Sequence, residues 1–531
     1  MKPNLNKSRN QAAKLVQLNA EELTKLISEE PENNLYLKLR GEFYLRVEDY
    51  EAALRDYAKL VSLNNQNVDI LINFASCLIR CNKYDQAQNV LEYVLELEPK
   101  NLNAHINICS VFQAQGRPEE SLKMALKAIE INPKVALPYN NLGTAFGDLQ
   151  MISEAREAYK IAHELAPEYV PTVINLAQLE VKQNNHEQAI TLYEGILTSK
   201  KLTNNQRDLI SYYLSYSYLY IGELEKGWAL YEFGYGGLLP LGAIRSLRKF
   251  KQPKWSGELI KNKKLLIWRE QGLGDEIEFS TCLPDVQKLG LSVILECESR
   301  LVDAFKRSFP EWEVRPERVG NDGYPLADDF DFHCPVGSLP RIFRNSINSF
   351  ANNQKNLLSP SLELKEKYFD RLKPYKNKKL VGISWRGGKL SIERNMNYTS
   401  ILDWIDIFKT PNCQFVNLQY GECEEELLEV EKMCGIEILR WPDLDLKNNL
   451  EEVMALTSNL DYVVSVGTAI GSIAPAIGTP TILLTLRHWL LLGEKSSYPW
   501  FKCVTPLIAA HENGVASQLK FVPPILSAHN H

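Results

Sequence analysis

The stretch YDQAQNVLEYVLELEPKNLNAHINICSVFQAQGRPEESLKMALKAIEINP, residues 84–133, carries the spacing that decides the fold of the first half of the chain. Pro99 and Pro133 stand 34 residues apart in it, and Pro167 follows at the same step. Proline ends a helix because it lacks an N–H donor and its ring clashes with the preceding turn. We therefore expect a helical repeat in which each proline closes one unit.

The same step relates two columns of small residues and one column of bulky residues. The first column is Gly41, Ala75, Cys109, Gly143 and Ala177, the second is Ala53, Ala87, Ser121, Ala155 and Ala189, and the third is Tyr57, Leu91, Tyr159 and Tyr193, with Ala125 as the exception. Small residues let two helices approach closely and bulky ones fill the remaining space, so each unit is predicted to be an antiparallel helix pair. Such units stack into a solenoid because none buries its apolar face alone.

This spacing resembles that of the tetratricopeptide repeat family over residues 33–235. The segment QAAKLVQLNAEELTKLIS, residues 11–28, is predicted to cap the array, so residues 1–235 are expected to form one superhelix. The resemblance implies an all-α domain that binds a protein or peptide acceptor.

A column of asparagines also follows the repeat, two residues before the first column of small residues. One interpretation is that these amides cap local backbone or recur by chance. The other is a ladder on the inner face of the superhelix, because an amide both donates and accepts and can bind the backbone of an extended acceptor peptide. Such a ladder resembles the one in O-linked N-acetylglucosamine transferases. Its members are Asn73, Asn107, Asn141 and Asn175.

The composition argues against several classes of protein. The chain has 531 residues, 45% of them hydrophobic and 24% charged, which fits several globular domains. Its net charge of −6 gives no overall attraction to nucleic acid. The sequence holds no run of about 18 apolar residues that would predict a membrane-spanning helix. A polar start without a secretory signal, and ten scattered cysteines interpreted as reduced thiols, predict a cytoplasmic protein.

Residues 236–262 interrupt the helical pattern with glycine, proline and basic residues, and predict a linker. A local positive cluster lies in this segment, formed by Arg245, Arg248, Lys249 and Lys251. We interpret the segment as a solvated connector; the alternative is that its charges help to attract an anionic donor molecule.

From Lys264 onward, short apolar runs alternate with helical patterns. The predicted strands are KLLIW, SVILEC, EWEVRP, DFDFHC, LVGISW, QFVNLQ, IEIL, DYVVSV and PTILLT. Such alternation is typical of parallel sheets with helices on both faces. A polar, irregular interruption over 337–377 divides it into two Rossmann-like lobes, 263–377 and 378–531, with a cleft between them. Ligands of such sheets bind beyond the carboxyl ends of the strands.

The first motif in such a position is QGLGDE, residues 271–276, directly after KLLIW. Gly272 and Gly274 allow a tight turn and a close approach of the backbone to a donor molecule. The third glycine of a dinucleotide fingerprint is replaced by Ile277, so NAD is not expected. Asp275 is either a cap of the following helix or a general base that takes a proton from an acceptor hydroxyl.

The second motif, GTAIG at residues 467–471, follows the predicted strand DYVVSV. Gly467, Thr468 and Ala469 form the turn into a helix, whose first N–H groups can hold a phosphate. The hydroxyls of Ser465 and Thr468 add donors. The alternative is an ordinary connection between a strand and a helix.

Two more pairs of residues follow strand ends and complete the predicted donor-binding set. Arg386 and Lys389 carry charges that would neutralise phosphate. Gln419 and Tyr420 are expected to contact a base or a sugar. The alternative for both pairs is a surface turn.

With these residues, LLIWREQGLGDEIEFSTCLPDV and LDYVVSVGTAIGSIAPAIGTPTILL are similar to the opening and donor-binding segments of lipopolysaccharide heptosyltransferases. Together with the repeats they resemble bacterial repeat-bearing protein glycosyltransferases, including those of flagellin. The resemblance implies a two-Rossmann (GT-B) glycosyltransferase with Asp275 as catalytic base and a nucleotide sugar as co-substrate, without a metal or other cofactor. Heptosyltransferases usually carry Asp and His where this chain has Gly467 and Ser472, so the donor sugar is not implied.

These observations predict an enzyme that moves a sugar from a nucleotide sugar to a serine or threonine hydroxyl of a protein, flagellin being one candidate. Two alternatives stay open. In one, the acceptor is a lipid-linked or surface saccharide. In the other, the second half is a degenerate transferase and the repeats act as a non-catalytic scaffold.

Overall fold

The computed structural model describes residues 19–63, 66–235, 245, 248–353, 356–387, 397–510 and 514–528. The chain divides into two compact units, with the division between Lys182 and Gln183. The start of the predicted capping segment, residues 236–244, 246 and 247 of the predicted linker, and Lys389 lie outside the described residues.

The first unit is helical. Helices α5, α7 and α9 each end two residues before a proline of the repeat, Pro99, Pro133 or Pro167, so the predicted role of these prolines is confirmed. The helices are α1 (Ala20–Glu29), α2 (Asn34–Arg46), α3 (Tyr50–Leu63), α4 (Val68–Arg80), α5 (Tyr84–Leu97), α6 (Leu102–Ala114), α7 (Pro118–Ile131), α8 (Ala136–Asp148), α9 (Ile152–Leu165) and α10 (Val170–Lys182).

The columns of small residues lie inside the helix pairs, as the spacing predicts. A Cβ at Gly143 would lie 2.6 Å from Cδ1 of Tyr159, so the tyrosine occupies the space that glycine leaves. Where α7 has Ala125 in place of a bulky residue, α6 has the larger Cys109, and both belong to one buried cluster. Small and large residues therefore compensate each other across each pair, as close-packed interiors require.

The second unit begins with three further helices, α11 (His186–Leu197), α12 (Asn204–Ile221) and α13 (Leu224–Tyr231). The structure thus divides the chain earlier than the predicted domain boundary at 235. The physical reason is packing: Leu219 of α12 and Trp228 of α13 share a buried cluster with Leu265 and Ile277 of the following α/β part.

That α/β part forms the rest of the second unit. Its elements are β1 (Lys264–Trp268), α14 (Leu273–Phe279), α15 (Leu283–Lys288), β2 (Ser292–Cys297), α16 (Val302–Ser308), β3 (Glu313–Pro316), β4 (Phe332–Pro335), α17 (Leu339–Phe343), α18 (Leu362–Leu372), β5 (Lys379–Ser384), α19 (Ile405–Phe408), β6 (Cys413–Asn417), α20 (Glu424–Cys434), β7 (Ile438–Leu439), α21 (Leu450–Thr457), β8 (Tyr462–Val466), α22 (Ala469–Ala476), β9 (Thr481–Leu486), β10 (Val504–Ala509) and α23 (Val522–Ser527).

The strands form two parallel sheets, which confirms the predicted α/β class. The first has the order β3-β2-β1-β4 and the second the order β10-β9-β8-β5-β6-β7. In the first, Leu266 pairs with Ile294 of β2 and with His333 of β4. All nine predicted strands are present, and β10 is additional. Pro506 obscures β10 in the sequence, and strands tolerate proline at a sheet edge, where β10 lies.

Helix α18 packs on the second sheet, although the predicted lobe boundary at 377 assigned it to the first. Tyr368 and Leu372 share a buried cluster with Leu380 of β5 and Val416 of β6. The apolar face of an amphipathic helix decides where it packs, and the position of a helix in the chain does not reveal which sheet receives that face.

Two arginines of the predicted basic cluster are buried, so the solvated connector is wrong at these positions. The Arg245 side chain is fully buried and pairs with Glu270, its Nε lying 2.9 Å from Oε2. The Arg248 side chain is 2% exposed, and its Nη2 lies 2.6 Å from Oε2 of Glu296. Neither charge is available to attract an anionic donor.

Among the residues that the structure describes, no helix is both long enough and apolar enough to cross a membrane.

Candidate functional site

A cavity of about 560 Å³ in the second unit is lined both by residues that follow β1 and by residues that follow β8. Gly272, Gly274 and Asp275 belong to the first group, and residues 467–469 belong to the second. The two motifs that the sequence analysis selected therefore share one cavity. Its volume lies in the range of small-molecule sites.

The loop that carries the first motif is anchored by buried residues that do not line the cavity. Glu270 accepts hydrogen bonds from Arg245 and from the hydroxyl of Tyr235, the latter over 3.1 Å to Oε1. The Arg245 guanidinium also lies over the Tyr235 ring, 4.1 Å from its centroid. These buried contacts fix the backbone that leads into α14.

The tight turn of this loop is made by Gln271, which has a φ of 60°. Gly272 has a φ of −83°, so the turn expected of the glycines is made by their neighbour. Gly274 has a different role, because a Cβ there would lie 3.2 Å from Oγ of Ser472 on α22, which is a tighter contact than most. Glycine thus allows α14 and α22 to approach each other beside the cavity.

Asp275 lies in the first turn of α14 and lines the cavity. Its Oδ2 accepts a hydrogen bond from the Gly272 N–H over 3.2 Å, so it also caps the helix. Burial raises the pKa of Asp275, and the nearby Glu270 carboxylate adds to this effect while the Gly272 N–H opposes it. The cap and the cavity carboxylate are one group, so the two interpretations of Asp275 do not exclude each other.

The turn after β8 faces open space. A Cβ at Gly467 would have no described atom within 4 Å. Thr468 is the N-cap residue of α22 but makes no side-chain capping bond, since its hydroxyl lies instead 3.0 Å from Oγ of Ser465. The first N–H groups of α22 therefore receive no bond from this cap and are suited to an anion.

Ser465 does not line the cavity, contrary to its predicted role as a ligand donor. Its side chain is fully buried, and its hydroxyl donates to the Val466 carbonyl over 2.8 Å. It supports the turn through its contact with Thr468.

Three polar residues that sequence reasoning did not select as site residues also line the cavity. We call them the cavity floor: Glu278, Ser472 and Tyr498. Glu278, one turn beyond Asp275 on α14, is 4% exposed. Its Oε1 accepts a hydrogen bond from Ser472 over 3.1 Å and another from the Tyr498 hydroxyl over 2.5 Å. The spacing of three residues between Asp275 and Glu278 places both on one helix face, and this was the available signal for Glu278.

The remaining wall contains Asn397, Tyr398, Thr485 and His488. Burial lowers the pKa of His488 to about 4, so this imidazole is neutral at pH 7. Within the described part of the chain, no lysine or arginine lines the cavity.

Arg386 does not line the cavity, and its guanidinium is engaged by other residues of the chain. Its guanidinium lies 2.5 Å from Oε1 of Glu426 and donates to the Glu422 carbonyl over 2.7 Å. Lys389, predicted to act with it, lies outside the described residues.

Gln419 is buried and does not reach the cavity, which corrects its predicted contact with a base or sugar. Its Oε1 accepts from the N–H groups of Trp385 and Arg386 over 3.1 and 3.0 Å, and its Nε2 donates to the Tyr420 carbonyl. It joins the ends of β5 and β6. Tyr420 does not line the cavity either.

The asparagine column connects helices of the first unit. In three of the four members, the amide donates to the first helix of the preceding repeat. Asn141 is only 5% exposed, so it is not available on an inner surface. The predicted ladder is therefore wrong at Asn141. The fourth member, Asn73, is half-buried. The bonds are Asn107 to Ser76 Oγ (3.2 Å), Asn141 to the Ile106 carbonyl (3.2 Å) and Asn175 to Asn140 Oδ1 (3.1 Å).

Comparison with known proteins identifies the repeats. The sequence profile of the tetratricopeptide repeat matches residues 44–92 and 82–142. Protein FlbA of Caulobacter vibrioides is 27% identical over 473 residues, which cover 86% of this chain and 78% of that protein. The resemblance to FlbA therefore extends well beyond the repeats.

Two relatives over shorter stretches carry transferase names. The human protein O-mannosyl-transferase TMTC3 is 30% identical over 163 residues, covering 30% of this chain and 18% of that protein. The barley protein named probable UDP-N-acetylglucosamine–peptide N-acetylglucosaminyltransferase SPINDLY is 29% identical over 142 residues, covering 27% and 14%. The chain spans less than a fifth of the length of each of these two relatives.

Proposed function

We propose that this chain is a glycosyltransferase of the GT-B type that moves a sugar from a nucleotide sugar to a serine or threonine hydroxyl of a protein. The observation that carries the proposal is the shared cavity, which Asp275 and the turn at 467–469 line from the ends of different sheets. A glycosyl transfer needs a proton acceptor near the incoming hydroxyl and an anion site near the departing phosphate. The transferase names of distant relatives support the same class.

In the proposed reaction, the acceptor oxygen forms a bond to the anomeric carbon of the sugar while the bond from that carbon to the phosphate oxygen breaks. Asp275 takes the proton of the acceptor hydroxyl. Its burial supports this role, because a carboxylate with a raised pKa is a stronger base. The nucleotide leaves with the electron pair of the broken bond.

We propose that backbone groups hold the departing phosphate, in a reaction that needs no metal. The N–H groups at the start of α22 and the Thr468 hydroxyl are fixed donors beside the cavity, and such donors stabilise developing negative charge. Lys389 remains in the proposal as a basic group for the phosphate, and this role rests on the sequence alone. Arg386 would have to leave Glu426 to take part.

The repeats are proposed to bind the protein acceptor, and flagellin is the first acceptor to test. The repeat architecture supports a protein partner, since stacked helix pairs create extended binding surfaces.

A transfer assay tests the base. The full-length chain is incubated with flagellin that carries no glycan and with labelled nucleotide sugars, beginning with UDP-N-acetylglucosamine. Asp275→Asn should lower turnover by a factor of about 100 or more, because removal of a general base has such an effect. Asp303→Asn, at an exposed carboxylate on α16, is the matched control. Equal turnover of Asp275→Asn and the wild-type chain would remove Asp275 from the mechanism.

A lipid-linked or surface saccharide is the second candidate acceptor. The observation that favours it is that the amide donors of Asn107, Asn141 and Asn175 are engaged between helices, which weakens the argument for a peptide held by an asparagine ladder. Asn107→Ala separates the two candidates. Asn107 is half-buried, so this variant removes a partly exposed amide and leaves the buried Asn141 in place. Reduced transfer to flagellin in a folded variant favours the protein acceptor.

A further inference from the structure

One histidine on the wall of the cavity has a side chain that the rest of the protein does not engage. His488 follows β9 and lines the cavity together with Asp275 and Thr468. Neither ring nitrogen of His488 has a hydrogen-bond partner among the residues that the structure describes. Neither nitrogen is enclosed, since the enclosed side-chain atoms that lack a partner belong to other residues. The imidazole is therefore open to a ligand in the cavity.

In the fold, His488 stands beside the turn at 467–469. Strands β8 and β9 are parallel neighbours, with Val466 paired to Leu484. Their carboxyl ends open at the same edge of the second sheet, so the turn follows one strand and His488 follows the next. Asp275 reaches the cavity from the first sheet instead, after β1. His488 thus belongs to the side of the cavity that carries the anion-binding turn.

The segment that carries His488 is fixed by contacts with α12. The ring of Trp489 packs on that of Tyr216, with centroids 5.2 Å apart. A Cβ at Gly493 would lie 2.8 Å from the Cα of Gly222 at the end of α12, so the two backbones touch. The position of His488 is therefore set before a ligand arrives, which lowers the ordering cost of binding.

The charges of the cavity give His488 a distinct place. Among the described residues that line the cavity, it is the only one whose side chain can become a cation. Arg487 does not line the cavity and lies over the Tyr220 ring, 4.9 Å from its centroid. The other titratable groups on the cavity wall are Asp275 and Glu278 from α14, Tyr398 from the segment before α19, and Tyr498 from the segment before β10.

A phosphate group suits an imidazole in this position. Burial lowers the pKa of His488 to about 4, so the ring is neutral at pH 7 and donates one N–H. Phosphate oxygens accept such a bond. An anion beside the ring also favours its protonated form, and a charged donor binds phosphate more strongly than a neutral one.

We propose that His488 binds a phosphate group of the nucleotide sugar, donating a hydrogen bond from a ring N–H to a phosphate oxygen beside the start of α22. The identity of the nucleotide sugar rests on the proposed function, whereas the phosphate contact rests on the cavity wall alone. During transfer, this contact stabilises the negative charge that the departing phosphate gains.

Nuclear magnetic resonance of the full-length chain tests the contact. The Cε1 carbon of every histidine is labelled with carbon-13, and the His488 signal is identified by its loss in His488→Gln. From pH 8 to pH 5, the free chain should show a neutral His488, because its pKa is about 4. UDP and inorganic pyrophosphate should each shift this signal toward that of the imidazolium, since a bound anion favours the charged ring.

His163, on α9 of the first unit, provides the matched control. Its signal, identified in the same way, should not respond to either probe. A saturated complex with UDP or pyrophosphate in which the His488 signal stays in place would overturn the proposal.

Calorimetry separates a phosphate contact from a contact with the uridine. His488→Ala should weaken the binding of UDP and of pyrophosphate by a similar factor, about tenfold, because both carry the phosphate that loses a hydrogen bond. His488→Gln should recover part of the loss through its amide N–H, and His163→Gln should bind both probes like the wild type. A loss confined to UDP, or no loss for either probe, contradicts the proposal.

The two hypotheses fail in different ways. If pyrophosphate shifts the His488 signal but no nucleotide sugar supports transfer, the phosphate contact stands and the transferase is refuted. If UDP binds and transfer occurs while the His488 signal stays in place, the role of His488 is refuted and the transferase stands. If neither probe binds at millimolar concentration, the phosphate contact is refuted whatever the transfer assay shows.

Discussion

Ser472 Oγ donates a hydrogen bond to Oε1 of Glu278 over 3.1 Å, which joins helix α22, after β8 of the second sheet, to helix α14, after β1 of the first. Gly274 stands at the same crossing, where a Cβ would lie 3.2 Å from that hydroxyl. Helices that follow strands of two different sheets therefore line this cavity together. A change on either helix is expected to alter the group that the other presents to a ligand.

Replacing Ser472 with alanine tests this crossing. The Ser472 hydroxyl lowers the pKa of Glu278, because a donor stabilises the ionised carboxyl. In Ser472→Ala, the pH midpoint of Glu278 ionisation, followed by infrared spectroscopy, should therefore shift to higher pH. The free energy of unfolding should fall by about 1 kcal/mol. Ser458→Ala, which removes a hydroxyl that donates to the Ala455 carbonyl over 2.8 Å, should affect stability without moving the midpoint. An unshifted midpoint in Ser472→Ala would show that the hydroxyl does not act on Glu278.

Gly143 and Gly147 lie on one helix, α8, and should respond in opposite ways to the same substitution. Gly143→Ala should lower the free energy of unfolding by about 1–3 kcal/mol, because its Cβ would lie 2.6 Å from Tyr159. Gly147→Ala should raise it by about 0.5–1 kcal/mol, since a Cβ there meets no described atom within 4 Å and alanine favours the helix. Thermal unfolding measures both. Two changes of the same sign would contradict the packing of α8 against α9.

The buried pair of Arg245 and Glu270 anchors the loop that leads to Asp275. Both side chains are fully buried, so Glu270→Gln should remove the main partner of the Arg245 cation and leave it only Glu232, whose Oε1 lies 3.5 Å from Nη1. The free energy of unfolding should fall by about 3 kcal/mol or more. The combination of Arg245→Met with Glu270→Leu should recover a large part of this loss. Urea titration measures it, and Glu157→Gln, in an exposed pair with Lys160, should change stability by less than about 1 kcal/mol. A small effect of Glu270→Gln would mean that water reaches the pair.

His186 should make the second unit sensitive to acid. It stacks on Tyr220 with ring centroids 3.5 Å apart, and burial, with the charge of Arg487, lowers its pKa to about 4. The unfolded chain binds the proton near pH 6.5 and the folded chain only near pH 4. Stability is therefore present above pH 6.5 and is lost as the pH falls toward 4, by up to about 3 kcal/mol.

The measurement for His186 is the melting temperature between pH 7.5 and pH 4.5, compared with that of His186→Phe. The variant keeps an aromatic ring against Tyr220 and removes the titration, so its melting temperature should fall less over this range. Equal slopes for the two proteins would assign the acid sensitivity to other groups.

The relation between sequence and structure differs between the two halves of the chain. In the repeats, the residues that pack are near each other in sequence, so Gly143 and Tyr159 could be paired from spacing alone. In the α/β part, the sequence identified the loops at 271–276 and 467–471 because strand ends carry ligands in such folds. It misjudged Arg386 and Gln419, since nothing local to them reveals Glu426 or the N–H groups that occupy them.

By itself, the sequence determined the helix pairs and the strands, because both arise from short-range periodicity: a step of 34 residues in one half, and apolar runs bounded by turns in the other. Only the tertiary structure decided which polar groups face the cavity. Glu278 meets Ser472 and Tyr498 across 194 and 220 residues of chain, and Arg245 meets Glu270 in the interior. Burial and the charge of neighbouring groups set the protonation of Glu278, and a short stretch of sequence does not encode its burial.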